Sequence, residues 1–242
     1  MEIVPMSEPE ESKRFTEKLS DTVIDLYNEP AQVIDSFVEG VKGNHVNPFL
    51  YVAIAALFLA FIVSFVVSYP EMEVSPADPE QIEELSEDIQ GYRMEEFQDV
   101  MEITSLIINT QYLGFLNFLL IPLLALGSML FFRETHPGYY RHLILNAYAV
   151  GQANVALLLL VPVWMLFQAQ LTDPVIHLYP SAFLIGLILL MTYNRYLLLD
   201  KMTDWLRAFS ALIIGYFLYS MIAGFVVALI SLITYMALAI GG

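Results

Sequence analysis

The sequence predicts an all-α, polytopic integral membrane protein with five transmembrane helices, its N-terminus cytoplasmic and its C-terminus external. Three observations carry this expectation. Of 242 residues, 57% are hydrophobic and only 15% charged, and the mean hydropathy of +0.62 is far above that of soluble domains. Five apolar segments reach the roughly 20 residues needed to cross hydrocarbon. Of the ten Lys and Arg residues, only Arg93 falls in a connection on the external side, and cations collect in cytoplasmic loops.

Residues 1–48 read as a cytoplasmic tail with amphipathic interfacial helices. The first twelve, rich in Glu, Ser and Pro, carry too little apolar surface to order themselves. They also lack a signal peptide's apolar run and small-residue cleavage site, so the mature chain is expected to begin near Met1, with the first span as its own insertion signal. Two short amphipathic helices then follow, broken at "YNEPAQ". In the second, Val33, Ile34, Phe37, Val38 and Val41 share a face, and Gly40 with "KGNHVNP" ends it. Such a helix suits the membrane surface, or a place tucked beneath the bundle.

Residues 49–242 read as a five-helix membrane domain. The spans are expected at Phe49–Tyr69, Leu113–Phe132, Leu143–Gln168, Tyr179–Leu199 and about Leu212–Ile240. Pro122 and Pro162 each remove a backbone hydrogen bond inside a span, which predicts kinks. Tyr51, Tyr69, Tyr112, Tyr139, Tyr140, Tyr179, Tyr196 and Trp205 fall at the expected interfaces. Between the first two spans, the external segment 70–112 holds twelve of the 26 acidic residues. Asp78, Pro79 and Gln81 make a helix start there, after which Ile82, Leu85, Ile89, Tyr92, Phe97 and Met101 form an apolar stripe on an acidic rod. That candidate partner-binding stripe needs a cover: the membrane domain itself, a second copy or another protein.

Composition also excludes. With no Cys, disulfides, thiolate metal sites and cysteine nucleophiles are ruled out. A net charge of −16 argues against nucleic acid as a partner. No Asp, Glu, Lys or Arg lies near the centre of a span, which disfavours a proton-driven pump. Nucleophile elbow, HExxH, Walker loop and dinucleotide fingerprint are all missing, so no enzyme, cofactor or metal is expected.

Two polar constellations remain. At the cytoplasmic mouth, Arg133, Glu134, His136, Arg141, His142 and Asn146 are placed to face Asn194, Arg195, Asp200, Asp204 and Arg207, a set suited to lipid phosphate or a partner's acidic tail. Tyr139 to His142 belong at the interface, and Arg195 can snorkel or pair with Asp200. Within the spans, Asn117, Gln152, Asn154 and Gln168 suggest an intramembrane polar face, either bonding helices together or lining a path. His45, His136 and His142 with Glu134 lack the compact spacing of a metal motif, and His177 reads as a loop residue. In the fifth span, Ser220, Gly224 and Ala228 invite close helix approach.

Two stretches resemble a bacterial membrane family of unknown function within the broader Yip1-like class of five-span proteins. They are "VIDLYNEPAQVIDSFVEGVKGNHVNPFLYVAIAALFLAFIVSF" and "IPLLALGSMLFFRETHPGYYRHLILNAYAVGQANVALLLL". The resemblance covers about residues 22–240. It departs where Arg141 replaces the acidic residue before His142, where Tyr148 stands at a second His, and where Lys42 only loosely echoes a basic pair after Gly40. The resemblance implies an architecture, and Yip1-like proteins work through partners. The expected function is a non-enzymatic adaptor, scaffold or accessory subunit of a bacterial inner-membrane complex. Its partners would be membrane lipid and other membrane subunits, or further copies in a homo-oligomer. The alternative is a channel or transporter for a cation, small solute or lipid.

Overall fold

The computed structural model describes residues 14–41, 45–66, 97, 113–166 and 174–241, and no strand occurs among them. In chain order the helices are α1 (Phe15–Asn28), α2 (Pro30–Val38), α3 (Pro48–Val66), α4 (Leu113–Phe132), α5 (Tyr139–Leu157), a 3-10 turn (Leu158–Leu160), α6 (Val161–Leu166), α7 (Pro174–Leu197) and α8 (Met202–Gly241). Two stretches, Tyr139–Leu166 and Met202–Met236, are long and apolar enough to cross a membrane, and shorter apolar stretches run Pro48–Val63 and Phe118–Phe132. Of the acidic segment 70–112, only Phe97 is described; Ile82, Leu85, Ile89, Tyr92 and Met101 lie outside, as do residues 1–12, Gln168 and the side chains of Asn117 and His177.

Local chemistry sets the helix ends. The Glu17 carboxylate accepts the Arg14 backbone N–H at 3.1 Å, which closes the first turn of α1. Pro30 opens α2 at a position where its missing N–H costs nothing. Gly40 ends α2 with φ 74°, and the N–H groups of Gly40 and Val41 close onto the carbonyls of Phe37 and Ser36. Asn47 caps α3, its Oδ1 accepting the Phe49 N–H at 3.0 Å. The expected disturbance at Pro162 takes the form of the 3-10 turn, because a proline ring crowds the carbonyl four residues back. α4 runs through Pro122 as one helix.

α5 is the hub. Every residue from Ile144 to Asn154 is buried, so no stripe of this helix faces outward. α3, α4 and α7 pack around it, while α2 and α1 close one end. The amphipathic pair is therefore tucked against the bundle, with Leu26, Val33 and Ile34 buried there while Ile24 and Tyr27 stay exposed.

Two helices begin before the expected spans. α7 starts at Pro174, which moves His177 from a loop into its first turn. α8 starts at Met202 rather than near Leu212, because Thr203, Asp204 and Arg207 lower local hydropathy without interrupting the helix. Its 40 residues span about 60 Å at 1.5 Å per residue. α8 attaches chiefly to α4. There a Cβ on Gly127 would run into the Ala211 carbonyl oxygen, and one on Gly215 would lie 3.0 Å from Leu124 Cα. The close approach expected at Ser220, Gly224 and Ala228 is not made within the described chain: a Cβ on Gly224 meets nothing within 4 Å. That part of α8 has left the bundle, and Phe217, Met221 and Phe225 around it are exposed. Further on, Tyr235 meets the ring of Phe97 edge-on at 6.0 Å. The one described residue of the acidic segment's stripe is thus half-buried and in contact with α8 of the same chain.

These contacts separate two glycines on one helix system. Gly127→Ala should destabilise the chain by about 1–3 kcal/mol, the usual cost of overpacking, whereas Gly224→Ala should leave stability unchanged or slightly raised. Thermal unfolding in a mild detergent checks the pair.

Candidate functional site

The polar residues of α5 are the densest concentration of chemistry in the described chain. Nearest its start, the His142 ring is fully buried. Its Nε2 lies 2.9 Å from the His136 carbonyl, which can only accept, so Nε2 carries a proton. Its Nδ1 lies 3.0 Å from Ser128 Oγ on α4. In the neutral ring that nitrogen accepts, so the Ser128 hydroxyl donates to it. One turn along, Asn146 Nδ2 donates to Ser128 Oγ at 3.1 Å and to the His142 carbonyl at 2.8 Å, while Asn146 Oδ1 accepts the Tyr193 hydroxyl of α7 at 2.6 Å. α4, α5 and α7 are therefore joined through one amide.

Farther along α5 the same logic recruits the N-terminal elements. Tyr148 donates its hydroxyl to the Val46 carbonyl at 2.8 Å. Tyr51 of α3 donates to Gln152 Oε1 at 2.5 Å, and Gln152 Nε2 donates to the Val23 carbonyl of α1 at 3.3 Å. Gly151 makes room for this, since a Cβ there would lie 2.5 Å from the Tyr51 ring. Thr22 completes the seam: its Oγ1 accepts the Val46 N–H at 2.9 Å and donates to the Lys18 carbonyl at 2.6 Å. His45 Nε2 sits 2.9 Å from Asp25 Oδ2 and ties the loop before α3 to α1. Asn154 is fully buried as well.

Around the mouth lies a partly exposed layer. Asp35 of α2 accepts the Tyr196 hydroxyl at 3.0 Å and lies 3.7 Å from Arg141 Nη1. The His136 ring packs against Tyr196 with centroids 5.4 Å apart. Partial burial, with the Arg141 cation beside it, holds the His136 imidazole below its ordinary pKa, and the Asp35 carboxylate only partly opposes this.

The expected mouth cluster is thus divided. His136 and Arg141 meet, but their partners are Asp35 and Tyr196. His142 and Asn146 turn inward to Ser128 and Tyr193, so His142 is a buried, bonded group, while Tyr139 and Tyr140 in the first turn of α5 stay exposed. Arg195 reaches neither Asp200 nor this cluster: its Nη1 donates to the Asn28 carbonyl at the end of α1, 3.4 Å away. Asp204 and Arg207 pair along α8 at 3.7 Å, and Arg133, Glu134 and Asp200 are exposed. Of the intramembrane face, Gln152 and Asn154 are placed in the bundle, and the Asn117 and Gln168 side chains lie outside the described residues. Among the described residues no three His, Asp or Glu side chains gather as a metal site would require.

Sequence reasoning missed Asp35, Ser128 and Tyr193. The sequence sets Asp35 off the apolar face of α2 and does nothing to single out Ser128. Tyr193 sits next to Asn194 and one turn before Tyr196, in a helix end that reads as interfacial. A weak signal existed: Tyr, Ser and Asn within the apolar segments each bring a polar atom that must be paired where water is absent. No family model, curated protein or solved structure matches this chain.

The Asn146 node tests the network. Asn146→Leu strands the Tyr193 hydroxyl and should destabilise by about 1–3 kcal/mol, the cost of an orphaned buried donor. Adding Tyr193→Phe should recover part of the loss, and a double-mutant cycle should return about 0.5–2 kcal/mol of coupling. His136 gives a pH test. Its depressed folded pKa means that the unfolded chain binds the proton more readily, so stability is complete above the ordinary value and falls as pH drops below it. Melting temperature should fall between pH 8 and pH 5.5, by less in His136→Gln than in the native chain.

Proposed function

We propose that this chain is a five-span integral membrane protein, its N-terminus cytoplasmic and its C-terminus external. In it we read a non-enzymatic adaptor, scaffold or accessory subunit of a bacterial inner-membrane complex. The observation that carries this reading is the use made of the polar residues of α5. Asn146 and Gln152 have both ends of their amides bonded to neighbouring helices. Such groups hold a bundle together where water is scarce. A transported solute or cation would need them facing a path.

Geometry supports the orientation. The ends of α4 and α7, the starts of α5 and α8, and α1 with α2 lie together, and the described cations Arg14, Lys18, Arg133, Arg141, Arg195, Lys201 and Arg207 belong to this end. The outer part of α8 supports the partner reading: Phe217, Met221, Phe225, Ile233 and Met236 are exposed, more apolar surface than the bundle covers. The Yip1-like resemblance points the same way.

Because the chain has no Cys, single introduced cysteines report the topology directly. Glu134→Cys should react with an impermeant maleimide only in inverted vesicles, and Glu95→Cys only from the outside. For function, tagged chain in mild detergent should carry a stoichiometric foreign subunit in native mass spectrometry, lost on Phe225→Glu. A monomer or simple homo-oligomer would overturn the adaptor reading.

A further inference from the structure

α7 and α8 follow one another through the short turn at Leu198–Lys201, yet they pack sparsely. Between them opens a groove of about 590 Å³, walled by Phe183, Gly186 and Leu190 on one side and Phe209, Ile213 and Tyr216 on the other. The residues on each wall recur at three and four, so each helix turns an apolar stripe toward a gap instead of toward its neighbour. The gap is open at Gly186: a Cβ there would meet nothing within 4 Å, so close packing of the helices does not explain this glycine. The volume lies within the ~300–1,000 Å³ typical of small-ligand sites.

Charge marks one end. The turn that joins the two walls, eight residues or about 12 Å of helix before Phe209, contains Lys201, which forms no ion pair among the described residues, and Arg195 and Arg207 lie on the same end of the two helices. Asp200 lies in the turn beside Lys201, exposed and without an ion pair among the described residues, and Asp204 just after it is committed to the Lys201 backbone N–H and to Arg207. In a chain of net charge −16, an exposed cation beyond the turn-side end of an apolar groove suits an occupant with an apolar tail and an anionic head. We infer that this groove seats an acyl chain of an anionic glycerophospholipid, its phosphate held at the α7–α8 turn by Lys201. The inference rests on the membrane placement proposed above.

Native mass spectrometry of the full chain, released from nanodiscs of equal phosphatidylglycerol and phosphatidylcholine, tests it. The native chain should retain one phosphatidylglycerol under activation that strips other lipid. Gly186→Phe, which fills open space and so should fold, should lower retention at least fivefold, while Gly224→Phe, equally open but away from the groove, should not. Lys201→Gln should retain lipid with the preference for phosphatidylglycerol lost. Equal retention by Gly186→Phe, no retained lipid in the native chain, or a second protein copy displaced by Gly186→Phe would each overturn the assignment. Failure of the membrane placement is distinguishable, since carbonate washing would then release the chain from membranes before any lipid is counted.

Discussion

One constraint organises the molecule: a helix enclosed on every side that nevertheless carries a His, amides and tyrosines. Inside low-polarity surroundings an unpaired polar group costs more than a typical hydrogen bond contributes, so each such group on α5 must be matched from a neighbour. The matches fall on different elements. Ser128 comes from α4, Tyr193 from α7, Tyr51 from α3, the Val23 carbonyl from α1, and the Val46 and His136 carbonyls from the connecting segments. Apolar packing would allow these helices to slide and rotate. Directional bonds, at least one to nearly every neighbour, fix the angle and height of each.

The sequence made the helices easy to find and the partners hard. Apolar runs of sufficient length announce themselves, and local breakers such as Gly40, Pro30 and Pro162 mark real boundaries, because both effects act over a few residues. Partnering acts over a hundred. Nothing in the neighbourhood of Asp35 says that it will face Tyr196, 161 residues on, and the amphipathic pattern of α2 identifies a buried face without saying what buries it. Gln152 and Asn154 were visible as residues that need an explanation. Whether they bond helices or line a path depends on three-dimensional surroundings, and one of the two partners of Gln152 is the Val23 carbonyl, a group every residue has and composition cannot signal.

α8 obeys a different rule. It has little contact with α5 and is held by shape, where Gly127 and Gly215 let two backbones approach. Beyond that approach Tyr216 and Tyr219 still pack on the core, while Phe217, Met221 and Phe225 project outward. The molecule thus has a centre tied by hydrogen bonds around α5 and a long helix, α8, held by extended packing along α4. A helix held in that way is a natural place for lipid or a second protein to settle, since occupation there disturbs none of the bonds around α5.

The separation between partners also governs the order of events during synthesis. Val46 and Tyr148 are 102 residues apart, and Val23 and Gln152 are 129 apart. At about 5–20 residues per second, the first helices wait on the order of 5–25 seconds for the segment that completes them. Through that interval the seam of α1, α2 and α3 exists without its other half, exposing carbonyls and an apolar face to whatever surrounds the ribosome exit. The N-terminal elements therefore complete their bonds only once α5 has been made, and α5 in turn waits 47 residues more for the Tyr193 hydroxyl.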